Sequence, residues 1–99
     1  MSKTYLTVVA EITAKPGCEQ ELRALLSSIV EPTRKEEGCI QYDLHVNTAE
    51  PGKFLFYENW EDQAALAKHA ASPHLKEFGA KAATLVGGPS KILTYTRIV

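Results

Sequence analysis

The chain predicts an α+β fold of the ferredoxin-like kind, in the order β-α-β-β-α-α-β, built on an antiparallel sheet. Three observations carry this. Four short stretches are rich in β-branched and aromatic residues or alternate apolar with polar, as strands do. The stretches between them carry helix caps and apolar residues at helical spacing. Right-handed crossovers then put the first and third strands side by side at the centre, with the helices on one sheet face.

Taken in order, Tyr5 to Thr13 reads as a strand from its β-branched and aromatic content. Leu6, Val8, Ala10 and Ile12 share one face; Tyr5, Thr7, Val9 and Glu11 share the other. Both are largely apolar, which predicts a central strand covered on both sides. Lys15-Pro16-Gly17 breaks it. Cys18 to about Glu36 is expected to be helical, with Leu22, Leu25, Leu26 and Ile29 as its buried stripe. Glu19 and Glu21 lie near its positive end, and Arg34 and Lys35 near its negative end. Pro32 is expected to kink the helix or end its first part near Glu31, and Gly38 to stop it. Cys39 to Val46 sets Ile40, Tyr42, Leu44 and Val46 against Gln41, Asp43 and His45, the pattern of an edge strand with one polar face. Asn47 to Gly52 is a turn-rich loop. Lys53 to Trp60 is the next strand, with Phe54, Phe56, Glu58 and Trp60 on one face and Leu55, Tyr57 and Asn59 on the other. Asp62 caps a short helix from Gln63 to about Ala70. Ser72 caps the next, which Pro73 opens and whose stripe is Leu75, Phe78, Ala82, Leu85 and Val86. Gly87-Gly88-Pro89 ends it, and Ile92 to Val99 is the last strand.

Composition narrows the function. A 99-residue chain is one domain with a limited core. The second sheet face is also apolar and needs a cover, so a sheet-to-sheet homodimer is expected. Net charge is −1 with both signs spread along the chain, which argues against nucleic acid and acidic membrane surfaces as partners. No apolar run approaches the ~18–20 residues of a membrane span, and MSKTYLTVV lacks a signal-peptide layout, so the expected location is the cytoplasm. Cys18 and Cys39 sit at opposite ends of the helical segment, roughly 30 Å apart, beyond disulfide reach. No CxxC, P-loop, GxGxxG or GxSxG occurs. An enzyme here is expected to work without a tightly bound nucleotide cofactor.

The stretch from Phe54 to Phe78 holds every Phe, the only Trp and two of the three His residues. Glu58 stands on a strand face otherwise made of Phe54, Phe56 and Trp60, where desolvation should raise its pKa and fit it to hold a proton near neutrality. Glu11, on the neighbouring strand, is a second carboxylate; a structural pairing with Arg97 is the plainer reading for it. His69 and His74 flank a helix break beside these groups and suit general acid/base work. They also suit metal, but the chain offers no obvious third ligand, so none is expected. His45 is most simply a surface residue. Trp60, Tyr42, Tyr57 and Phe78 could stack on a flat aromatic ligand, core packing being the alternative for each.

Ala10-Glu11-Ile12 followed by Pro16-Gly17, Glu36-Glu37-Gly38-Cys39 with Tyr42 after it, Glu58-x-Trp60, and His69 followed by Ser72-Pro73-His74 together resemble the antibiotic biosynthesis monooxygenase domain family. Small bacterial members include quinol monooxygenases and an isomerase of phosphorylated autoinducer-2. The resemblance covers nearly the whole chain. It implies a dimeric α+β barrel with a pocket between sheet and helices in each subunit, and oxidation of a quinol-like or polyphenolic compound by O2 with no metal or flavin. It implies Glu58, His69 and His74 as proton handlers, with Trp60, Tyr42 and Phe78 as pocket walls. Haem-degrading relatives use an Asn where this chain has Ala10 and a His where it has Gly79, which argues against haem. A proton-shuttling isomerase of a small carbonyl metabolite and a non-catalytic small-molecule-binding stress protein are the alternatives.

Overall fold

The computed structural model describes residues 5–99. Its elements run β1 (Leu6–Thr13), α1 (Glu19–Ser28), α2 (Val30–Arg34), β2 (Cys39–Val46), β3 (Lys53–Trp60), α3 (Gln63–Ala70), α4 (Pro73–Ala82) and β4 (Lys91–Thr96). The strands form one antiparallel sheet in the order β2-β3-β1-β4. This is the expected ferredoxin-like α+β fold, with β1 and β3 adjacent at the centre and β2 at an edge.

Register decides which residues meet. Val8 stands opposite Glu58, Ala10 opposite Phe56 and Ile12 opposite Phe54, while Tyr42 faces Glu58 from the other side. Because side chains alternate along a strand, these residues share the face that the helices cover. Leu22 and Leu26 of α1 and Ile29 after it pack onto that face and join the core of Val8, Ile12, Tyr42, Phe54, Phe56 and Trp60. Each such Leu contributes roughly 1.5–3 kcal/mol by leaving water.

Several expectations shift in detail. The helical segment breaks at Ile29 rather than near Glu31, and Pro32 lies inside the short α2. Pro32 has no N–H to donate to the Ser28 carbonyl, and its ring crowds that same group. Intrahelical bonding resumes with Thr33 N–H donating to the Ile29 carbonyl at 3.1 Å. In β2 a register irregularity between Cys39 and Gln41 pushes Ile40 out to solvent, so the apolar face begins at Tyr42. Helix α4 ends at Ala82, and Leu85 and Val86 follow it as half-buried residues held by a bridge between Val86 and Ala14. The last strand ends at Thr96.

Ser72 stands at the N-cap of α4, but its hydroxyl turns back to donate to the His69 carbonyl at 2.7 Å. Asp62 caps α3 as expected, accepting from Ala65 N–H at 2.8 Å. No described residue covers the outer sheet face; Tyr57 is 37% and Tyr95 52% exposed. No helix among the described residues is long and apolar enough to cross a membrane.

Candidate functional site

A cavity of about 220 Å³ lies between the inner sheet face and the helices. Val8, Ala10 and Ile12 of β1, Phe56 and Glu58 of β3 and Tyr42 of β2 form its floor. Leu66, His69 and Ala70 of α3 and Leu75 and Phe78 of α4 form its roof. Ile29, Ser90 and Ile92 complete the lining; Ser90 and Ile92 are themselves exposed, Ile92 by 64%, so the cavity opens toward the β4 edge. The walls are largely apolar, with Glu58 and His69 as the ionisable groups among them, the usual make-up of a small-molecule pocket.

Glu58 is 5% exposed between Val8 and Tyr42. Its Oε1 accepts a hydrogen bond from Trp60 Nε1 at 2.8 Å. Burial pushes its carboxyl up to about 7; the Trp60 bond pulls the other way and the nearby Glu36 charge adds to the rise. Trp60 is fully buried and stays out of the lining, so it backs the site instead of walling it. Its ring lies 4.6 Å from that of His69, which also packs edge-on against Tyr42 at 5.5 Å.

His69 comes from the last turn of α3. Its Nδ1 is 2.8 Å from Glu36 Oε2. A carboxylate accepts, so Nδ1 carries the proton and Nε2 keeps its lone pair. Burial lowers the pKa of the ring from its ordinary 6.5, the Glu36 bond opposing that, and the imidazole is neutral near pH 7. Among the described residues Nε2 of His69 has no hydrogen-bond partner, and His69 lines the cavity.

His74 lies in the first turn of α4, next to Pro73. Its Nε2 is 3.1 Å from the same Glu36 oxygen and 3.2 Å from Thr33 Oγ1. It faces a smaller groove under α4 instead of the main cavity. Phe78 borders both spaces. Tyr42 is buried against Phe56 at 4.8 Å, and burial raises its phenol so far that it stays protonated; a bond with Thr33 opposes that rise.

Two candidates from the sequence lie elsewhere. Glu11 and Tyr57 point to the outer sheet face, one residue out of phase with the cavity floor. Glu11 is exposed opposite Leu55 and Lys91, and the Arg97 expected beside it lies over the Tyr5 ring. Tyr57 stands opposite Val9 and Asp43. His45 is exposed, as expected.

The residue missed from the sequence is Glu36, between α2 and β2, which accepts from both histidines. Its place in the Glu36-Glu37-Gly38-Cys39 turn was the one signal, and nothing local set it apart from Glu37. With it, a third ligand exists: donor atoms of Glu36, His69 and His74 all lie within 4.8 Å of one another. Burial first, and then Glu36, push the nearby Cys39 thiol up to about 11, so it is a protonated, poor nucleophile.

A family model described as "Antibiotic biosynthesis monooxygenase" matches residues 5–81. "Putative monooxygenase Rv0793" of Mycobacterium tuberculosis is 34% identical over 84 residues, 85% of this chain and 82% of that protein. "Probable quinol monooxygenase YgiN" of Escherichia coli K12 is 35% identical over 83 residues, covering 74% and 80%. "Uncharacterized protein sll1783" of Synechocystis is 37% identical over 90 residues; 91% of this chain aligns, but only 61% of that longer protein. Among solved structures, PA3566 from Pseudomonas aeruginosa superposes with a TM-score of 0.92 at 38% identity, over 97% of this chain and 96% of that one.

Proposed function

The chain belongs to the antibiotic biosynthesis monooxygenase family, and from that premise we propose that it is a cofactor-independent monooxygenase of a quinol-like or polyphenolic compound. One observation carries the reading. His69, neutral and fixed by Glu36, presents a free Nε2 beside an apolar cavity that also holds a carboxyl poised near pH 7.

A phenolic ring in the cavity packs between the floor and Phe78 with a hydroxyl toward the deep end. His69 Nε2 takes that proton, within hydrogen-bond reach of about 2.6–3.2 Å. Glu36 accepts the Nδ1–H bond throughout, which favours the imidazolium that forms. The electron-rich phenolate is then oxidised directly by O2. A ring C–O bond forms, the C–H bond at that carbon and the O–O bond break, and one oxygen atom stays on the ring while the other leaves as water with the released protons. The quinol supplies every electron, so no outside reductant enters. Glu58, half protonated near neutrality, holds and returns a proton to the departing oxygen. Trp60 and Tyr42 position His69 and Glu58, and the apolar walls limit water around the reacting ring. The volume of about 220 Å³ suits one or two fused rings, below the ~300–1,000 Å³ of sites for larger ligands.

The uncovered outer sheet face supports a second part of the proposal. Two copies pair through it, with Val9, Tyr57, Leu93 and Tyr95 at the contact.

Oxygen uptake with a panel of quinols tests the reading. The wild type consumes O2 with formation of a hydroxyquinone. His69→Ala loses at least about a hundredfold, the low end of what a general base contributes, and Glu58→Gln retains part of the rate. No uptake above buffer with any quinol would sink it. Proton exchange into a carbonyl substrate in D2O without oxygen would instead favour the isomerase alternative.

A further inference from the structure

Glu36, His69 and His74 converge from three parts of the chain: the turn after α2, the end of α3 and the start of α4. We propose that Glu36 Oε2, His69 Nδ1 and His74 Nε2 form a binding site for a divalent transition ion of the zinc type, and that its occupancy moves the His69 ring proton from Nδ1 to Nε2.

The three donor atoms all lie within 4.8 Å of one another, so modest side-chain shifts bring them to the spacing of a formed site. Ligands held ~2.0–2.2 Å from one tetrahedral ion stand roughly 3.3–3.5 Å from each other. The two nitrogens already lie 2.8 and 3.1 Å from the shared carboxylate oxygen. Two imidazoles and a carboxylate are the ligand types zinc takes in open, three-ligand sites, with the remaining position left for water or another small donor. The surroundings hold the ligands without sealing them. His69 is clamped by Trp60 and Tyr42, and the Ser72 hydroxyl fixes its backbone. Glu36 and His74 keep 17% and 29% of their side-chain surface exposed, which leaves an entry path. Among the described residues, no other trio of His, Cys, Asp or Glu comes together in this way.

Without an ion, the two rings meet Oε2 through N–H groups. An ion needs the lone pairs at the same atoms, so each neutral ring must carry its proton on the far nitrogen. For His74 that nitrogen is Nδ1. For His69 it is Nε2, the atom assigned above as the base. Metal binding therefore converts the cavity-side nitrogen from acceptor to donor. This consequence rests on His69 serving as the base; the site and the tautomer change do not.

The test uses the intact chain freed of metal with a chelator. Equilibrium dialysis with Zn2+, and visible absorption with Co2+, should show one saturable ion per chain. Both Glu36→Gln and His74→Ala should weaken it at least about tenfold, since each removes one of the three ligands. Circular dichroism checks that each variant is folded, with His74→Gln as the replacement for one that is not. Long-range 1H–15N spectra should show the His69 proton on Nδ1 before Zn2+ and on Nε2 after it. Absence of saturable binding, or binding that all folded variants retain, overturns the site. Binding with an unmoved His69 proton overturns the switch. Failure to oxidise any quinol would count against the oxygenase reading and leave these binding and spectral results standing. If quinols are oxidised, Zn2+ should suppress uptake and a chelator should restore it.

Discussion

Glu58 is the residue whose environment most controls its chemistry. Its pKa of about 7 in the folded chain stands above the ordinary 4.5, so the native state holds the proton more tightly than the unfolded chain does. The stability this confers is full below the unfolded pKa and is lost as pH rises through about 7. The loss is on the order of 3 kcal/mol between pH 4 and pH 8. Glu58→Gln keeps an oxygen for Trp60 and removes the titration. Thermal unfolding should therefore find the variant close to wild type at pH 5 and more stable than wild type at pH 8. A difference that stays constant over this range would contradict the buried-carboxyl account. Trp60→Phe deletes the indole donor to Glu58 and should raise its pKa further, read by 13C NMR of the carboxyl carbon. A downward shift would mean that water replaces the indole.

At the scale of elements, the site depends on how α3 is seated against the turn before β2. Gly38 has φ +88, and a Cβ there would come 2.5 Å from the Ala65 Cβ on α3. Gly17 has φ +91 with nothing near it. Both Gly→Ala changes incur the left-handed strain of ~1–2 kcal/mol. Only Gly38→Ala also pushes α3 away, carrying His69 with it. Urea unfolding should show Gly38→Ala as the less stable of the two, and equal losses would show that α3 yields without cost. The same contrast explains what was legible in the sequence. Glu58 was visible because it interrupts an aromatic face whose period is two, and His69 and His74 because a capping aspartate and Ser72-Pro73 bracket a helix break. Glu11 was misplaced because which face of β1 joins Glu58 depends on the β1–β3 register, which no local pattern encodes; Tyr57 already alternated away from Glu58 on its own strand, and only its aromatic ring suggested the site. Glu36 was hidden because its meeting with His69 spans 33 residues of chain and depends on the seating of α3, which no local pattern encodes. The break at Ile29 precedes its cause, Pro32, by nearly a turn, since a proline disturbs the carbonyl four residues back.

For the whole molecule, the open face of the sheet has a measurable outcome. Sedimentation at micromolar concentration should give about twice the 10.9 kDa chain mass. Tyr57→Lys sets a charge at the centre of that face, remote from the cavity, and should shift the mass toward one chain while leaving the secondary structure intact. A single-chain mass for the wild type would remove the dimer from the proposal. The cavity itself is asymmetric. Its candidate proton-handling groups, Glu58 and His69, stand on β3 and α3, and its entrance is framed by Ser90 and Ile92 on the opposite edge. Changes at the entrance alter which rings are admitted without touching the groups that move protons. Changes at the deep end alter the reaction without altering admission. Such a scaffold can exchange one substrate for another through a few substitutions in and just before β4, and the same separation makes β4 the place to begin when redirecting this chain to a new ligand.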